Sequence, residues 1–193
     1  MGDQLRTATV SLLVETALLS GCSERQEAST TLPAESAAPT TSAEALPPLG
    51  PPDLPMPAEA RAKTPEGAQI FVRYYIGLIN RTSTVLDAAP LREFSNRCED
   101  CNRIATGTEN AAAAGEDFEG GDMIVTFLGQ PLMTETTAEM VVRIDQKRFI
   151  VLDATGQPTE ASSEPFFDLY GGASLEWDGQ RRTWIATQLT FNQ

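Results

Sequence analysis

The chain has 193 residues, with 27 acidic against 14 basic side chains, a formal net charge of −13 and no histidine. Without histidine, Ser-His-Asp and Cys-His catalysis, histidine metal sites and the commonest general base are excluded. The acid excess argues against nucleic acid and against anionic lipid headgroups as partners, because both are held by basic patches.

The N-terminus carries the sharpest single motif. An apolar run from Val10 to Leu19, broken by Ser11, Glu15 and Thr16, leads into Leu19-Ser20-Gly21-Cys22. Small residues before a cysteine that follows an apolar segment are what a lipoprotein signal needs. Cys22 is then the lipidation site and the first residue of the mature chain. Glu15 is unusual in such a run, and Arg6 is its only basic side chain upstream. A run of ten residues is too short for a membrane span, which needs about 20 residues. Residues 1–21 are therefore expected to be a signal peptide, and the mature protein to be anchored to the cell membrane on its extracytoplasmic face.

Residues 22–57 hold the lipidated Cys22 and a tether. The stretch from Ser23 to Pro57 contains eight of the 13 prolines and no aromatic residue, whereas all 13 aromatics lie at Phe71 or beyond. Such a segment cannot bury enough apolar surface to offset its ordering entropy. As a coil it spans roughly 30–35 Å on average. Its Thr30, Thr31, Thr40, Thr41 and Ser42 read either as O-glycan acceptors or as an unmodified tether.

Residues 58–193 are the right length for one domain with a true core. They carry 20 acidic and 12 basic residues, a net charge of −8. Thr64-Pro65-Glu66 starts a helix over 64–80: hydroxyl cap, proline at the first position, acid in the first turn. Ala68, Phe71, Val72, Tyr75, Leu78 and Ile79 share its inner face. A short helix follows over Asp87–Ser95, with Leu86, Leu91 and Phe94 inward. A third runs from Glu99 to Ala114, weakened by Gly107 and ended by Gly115. The pattern then changes to strands at 124–128, 138–144 and 148–152. Phe166 to Trp177 alternates only in part, and Gly171-Gly172 suggests a bulge or sharp bend. Asp178-Gly179 marks a hairpin into the last strand, 184–191. Helices first and antiparallel strands after them make the fold class α+β.

Thr64-Pro-Glu-Gly-Ala-Gln-Ile-Phe-Val-Arg-Tyr-Tyr75, Ala89-Pro-Leu-Arg92, Cys98-Glu-Asp-Cys101 and Glu119-Gly-Gly121 resemble an uncharacterised family of actinobacterial lipoproteins. The helix-then-sheet order and the Trp-Asp-Gly hairpin resemble the NTF2-like, or SnoaL-like, fold. That resemblance implies a curved antiparallel sheet wrapped around a long first helix as a cone, often with a pocket. Enzymes of that fold place Asp, His or Tyr in the pocket. With no histidine and no acid–base pair in view, no catalytic residue carries over.

Cys98 and Cys101 read as a structural disulfide fixing the turn between the second and third helices, because an extracytoplasmic pair two residues apart is oxidised. A redox-active pair and a zinc site are the alternatives. Glu99 and Asp100 oppose a low thiol pKa, and no further Cys or His completes four ligands. Glu116–Asp122 reads as a solvated turn into the sheet, with a calcium loop as the alternative. Phe71, Tyr74 and Tyr75, with the sheet aromatics, are candidate pocket walls, plain core being the other reading. Arg73 and Arg143 are candidate pocket charges or solvated residues. The sequence thus describes a non-enzymatic, lipid-anchored envelope protein without metal or cofactor. Its domain is expected to bind a small molecule or lipid in a pocket. The alternative is an interaction module docking an envelope protein through its sheet face, and an enzyme working without histidine is the third reading.

Overall fold

A computed structural model describes residues 46–192. The signal segment, Cys22 and the tether hydroxyls lie outside the described residues. Three helices pack against antiparallel strands, so the α+β class holds.

The folded unit begins at Leu46 rather than at 58. The end of the expected tether is a strap laid on the core. Pro51 and Met56 are buried, Leu49 and Leu54 pack partly against the core, and Met56 N–H donates to the Leu49 carbonyl at 2.8 Å. Proline lowers the entropy cost of ordering such a segment, so its composition does not by itself mean disorder. Gly50 has φ +87°, and a Cβ on it would stand 2.0 Å from the Tyr74 hydroxyl. Arg81 clamps the strap through Asp53 at 2.7 Å and also pairs with Asp87 at 3.0 Å. A single 3-10 turn, Ala58–Arg61, completes the strap.

Helix α1 spans Pro65–Val85, capped by Thr64 Oγ1, which accepts from Gly67 N–H at 3.0 Å. It runs five residues past the expected end because tertiary contacts hold the extra turn. The Asn80 side chain both donates to and accepts from the Met123 backbone, at 3.0 and 2.8 Å, and Thr82 is buried. Helix α2, Ala89–Glu93, is shorter than expected: Asp87 caps Ala89 N–H from outside it at 3.1 Å. Helix α3, Glu99–Ala114, matches its expected bounds and ends on Gly115 at φ +69°. Cys98 and Cys101 form a disulfide at its start, both buried, and Cys101 N–H points at Cys98 Sγ, 3.3 Å away.

The strands are β1 Asp117–Gly120, β2 Met123–Leu128, β3 Leu132–Met133, β4 Thr137–Gln146, β5 Phe149–Leu152, β6 Phe166–Asp178 and β7 Thr183–Asn192. The main sheet has the order β2-β4-β6-β7, with β3 also on β4, and β1 and β5 form a separate antiparallel pair. The acidic segment at 117–120 is therefore a strand, not the expected solvated turn. The Phe118 ring packs on Phe149 with centroids 4.9 Å apart. That cross-strand aromatic pair outweighs the poor strand propensity of its flanking acids. Gly171-Gly172 is neither bulge nor bend, since the β6–β7 register is unbroken there and slips only between Ser174 and Leu175. Gly171 instead permits close approach: a Cβ there would meet the Thr190 carbonyl oxygen at 1.7 Å.

Alternation along β4 sets the two faces. Ala138, Met140, Val142 and Ile144 are buried toward the helices, and Glu139, Val141 and Arg143 face outward. At one end the core is closed. Trp184 is fully buried, donates from Nε1 to the Ala62 carbonyl at 3.0 Å, and stands edge-on to Trp177 at 5.1 Å. Arg61 ties the strap to the β6–β7 turn by donating to the Arg181 carbonyl at 2.7 Å. Among the described residues no helix is long and apolar enough to cross a membrane.

Candidate functional site

The helix aromatics sit in packed core. Phe71, Tyr74 and Tyr75 are all buried, and the gap beside Phe71 and Tyr75 is about 10 Å³, too small for a ligand. Tyr75 donates its hydroxyl to the Leu91 carbonyl at 3.1 Å, and burial pushes its pKa up to about 12. Burial also pushes Tyr74 up, and its hydroxyl has no hydrogen-bond partner among the described residues.

The sheet aromatics behave differently. A groove of about 660 Å³ lies between the inner face of the sheet, the β1–β5 pair, the end of α1 and one face of α3. Phe166, Leu169, Leu189 and Phe191 form the sheet wall, Phe118, Phe149 and Val151 come from the β1–β5 pair, and Ile79, Ile104 and Ala111 come from the helices. Several of these aromatics point inward yet keep intermediate exposure, including Phe118, Phe149, Phe166 and Phe191. Inward-facing aromatics that remain wetted are uncommon unless something covers them.

On α3 the lining positions are Asp100, Arg103, Ile104, Gly107, Thr108 and Ala111, one face of the helix. Small residues open this wall: a Cβ on Gly107 would meet nothing within 4 Å. The buried polar groups of the floor are Thr82 and Thr108. Both donate their hydroxyl protons to their own helix, to the Ile79 carbonyl at 2.7 Å and the Ile104 carbonyl at 3.1 Å. The floor therefore offers lone pairs but no free donor from these two groups. At the lip Arg103 is paired with Asp100 at 3.0 Å, whereas Glu116 makes no ion pair among the described residues.

A second depression, about 780 Å³, lies on the outer face of the sheet. It is a shallow dish, because its walls are side chains that are themselves exposed: Phe127, Leu132 and Val141. Ile124 and Tyr170 extend the same face by register. Arg143 stands there beside Asp168 at 3.3 Å, and Arg73 is on the exposed side of α1; neither lines the groove.

The remaining electrostatics are structural. Each of the shifted carboxylates, Asp53, Glu109, Asp153 and Asp178, is held below its usual range. The causes are Arg81, Arg92, the Thr155 hydroxyl and Arg181 respectively. A general acid needs the opposite shift. No group of three or more Asp, Glu or Cys among the described residues is placed to hold a metal ion.

The sequence named Phe71, Tyr74 and Tyr75, with the sheet aromatics, as pocket walls; the groove is lined by aromatics of the strands and by none of those three. Helix periodicity marked Phe71 and Tyr75 as core. The one local signal for the groove is Gly107 in mid-helix, a residue that weakens α3 unless the missing side chain is useful.

The fold is similar to the intermembrane space region of chloroplast protein ARC6. The TM-score is 0.49 at 11% identity, over 67% of this chain and 97% of that one. No curated protein matches the sequence. A sequence model of a family of unknown function, DUF6318, matches residues 47–189, from the strap through β7, and the chain belongs to that family.

Proposed function

We propose that the domain is a non-catalytic binding module that holds a small, mainly apolar molecule or lipid in the groove between α3 and the sheet. In this reading the fold is an NTF2-like cone whose open end is the groove. The protein is an actinobacterial lipoprotein, tethered through Cys22 to the extracytoplasmic face of the membrane. The groove carries the reading: about 660 Å³ of mostly apolar wall lies in the range of small-ligand sites. Support for the anchor is the Leu19-Ser20-Gly21-Cys22 motif, and support for a non-catalytic role is the absence of histidine together with the downward carboxylate shifts.

Native mass spectrometry of the full chain, produced in an actinobacterial host, tests this. The expected result is a stoichiometric adduct that disappears in Gly107→Leu, whose side chain would occupy the groove. A wild-type chain that neither carries an adduct nor binds added apolar ligands removes the reading.

The outer sheet face supports a second reading, an envelope-protein docking surface. Ile124, Phe127, Leu132, Val141 and Tyr170 all stay exposed on it, and apolar clusters of this kind mark interaction surfaces. The groove is favoured because helices and strands wall it on several sides and its aromatics are partly buried, while the outer face is lined by exposed side chains.

A further inference from the structure

We propose that the groove selects a single-chain amphiphile with a cationic end, the chain lying along α3 and the cation seated at the C-terminal end of that helix beside Glu116. This rests on the groove being a ligand site.

The shape comes first. Lining positions run along one face of α3 from Asp100 to Ala111, about 16 Å at 1.5 Å per residue. A groove of about 660 Å³ drawn out over that length is elongated along α3, so an extended chain can lie along its axis. An extended peptide would fit by shape but brings carbonyls that need donors. The Thr82 and Thr108 hydroxyls have already spent their protons on helix carbonyls. That leaves the Ser83 hydroxyl, the Gln146 amide and the paired Arg103 as lining donors, fewer than the carbonyls of an extended peptide need, so a hydrocarbon chain suits the groove better.

Charge then orients the chain. At the N-terminal end of α3, where an anionic head would seek the helix dipole, Asp100 lines the groove and occupies Arg103 at 3.0 Å. At the C-terminal end the dipole is negative, and the last turn of α3 contains no basic residue to neutralise it. Glu116 adds an unpaired carboxylate at the same place. Two independent negative sources converge where the groove ends, and neither has a cation within the described residues.

The test is titration calorimetry with the full chain carrying Cys22→Ser, which removes the expected acylation site and the need for detergent. The probes share one chain length and differ in head: dodecylammonium, dodecyl maltoside and dodecanoate, each below its micellar concentration. Attraction of the amine and repulsion of the carboxylate by an exposed acid together correspond to about tenfold in Kd. We expect dodecylammonium to bind about tenfold tighter than dodecanoate. Glu116→Gln should bring the two together, and Glu135→Gln, an exposed acid in the turn between β3 and β4 and outside the groove lining, should not. Equal binding of the two probes, or a preference that survives Glu116→Gln, overturns the cationic assignment while leaving the groove as a site. If none of the three probes binds, the groove reading itself fails.

Discussion

Trp184 and Phe191 lie on the same strand, β7, seven residues apart, and meet opposite fates. Trp184 is enclosed by the strap, the 3-10 turn and Trp177, with its indole N–H satisfied. Phe191 also points inward, yet it faces the groove and keeps intermediate exposure. The difference is not in strand chemistry, since both are aromatics on the core face. It lies in what covers the sheet: α1 and the strap pack on one end, while at the other the small residues Gly107 and Ala111 of α3 line a groove. The closed end is packed core, and the open end is the groove proposed as the binding site.

Alanine at the two positions sharpens that contrast most strongly. Trp184→Ala removes a fully buried ring and leaves a sealed cavity, so it should cost about 3–5 kcal/mol. Phe191→Ala adds no enclosed void, because the vacated space merges with the groove; its expected cost is about 1–2 kcal/mol. Urea unfolding of both variants measures the difference. Equal losses would mean that the groove is packed in solution and the two ends are alike.

The disulfide lies between the two ends, at the start of the helix that forms the open wall. Cys98 and Cys101 enclose a very short loop, for which chain-entropy arguments give about 2 kcal/mol. The double variant Cys98→Ser/Cys101→Ser should therefore melt lower by roughly that amount while keeping its helix content. Serine at 98 can still cap α3, so the loss should come from the constraint and not from the cap. An unchanged melting temperature would mean that the α2–α3 turn holds its shape without the bond.

How legible these two ends are in the sequence follows from the range of the interactions that make them. Signals confined to one turn are readable: Thr64-Pro65-Glu66 at the start of α1, Cys98-Glu99 at the start of α3, Gly115 at its end. Alternation likewise marks β4, because its inner and outer residues differ sharply in polarity. The strap was hidden because its prolines resemble a tether, and only Met56 and Leu49 finding the core reveals otherwise. Strand β1 was hidden because its partner, β5, is about thirty residues away and its own acids disfavour a strand. The last turn of α1 depends on Asn80 meeting the Met123 backbone, which no local pattern encodes. The groove is the extreme case. Phe166 and Phe191 read as core in any window, and only the groove between α3 and the sheet leaves them partly exposed.

Gly107 offers the smallest effect and the cleanest separation of stability from function. It sits in the interior of α3, exposed, with open space where a Cβ would be. Glycine in a helix interior costs about 1 kcal/mol relative to alanine, so Gly107→Ala should stabilise the domain by about that amount and raise its Tm by a few degrees. One methyl group is small against a groove of about 660 Å³, so ligand binding should persist in Gly107→Ala and be lost in Gly107→Leu. Thermal melts and titrations on the same two variants check both halves of this. A stabilised alanine variant that still binds, beside a stable leucine variant that does not, would mean that glycine is kept at 107 for the space it leaves. A destabilised alanine variant would mean instead that a partner already packs against α3 at this point, and the open end of the domain would then be an interface and not a pocket.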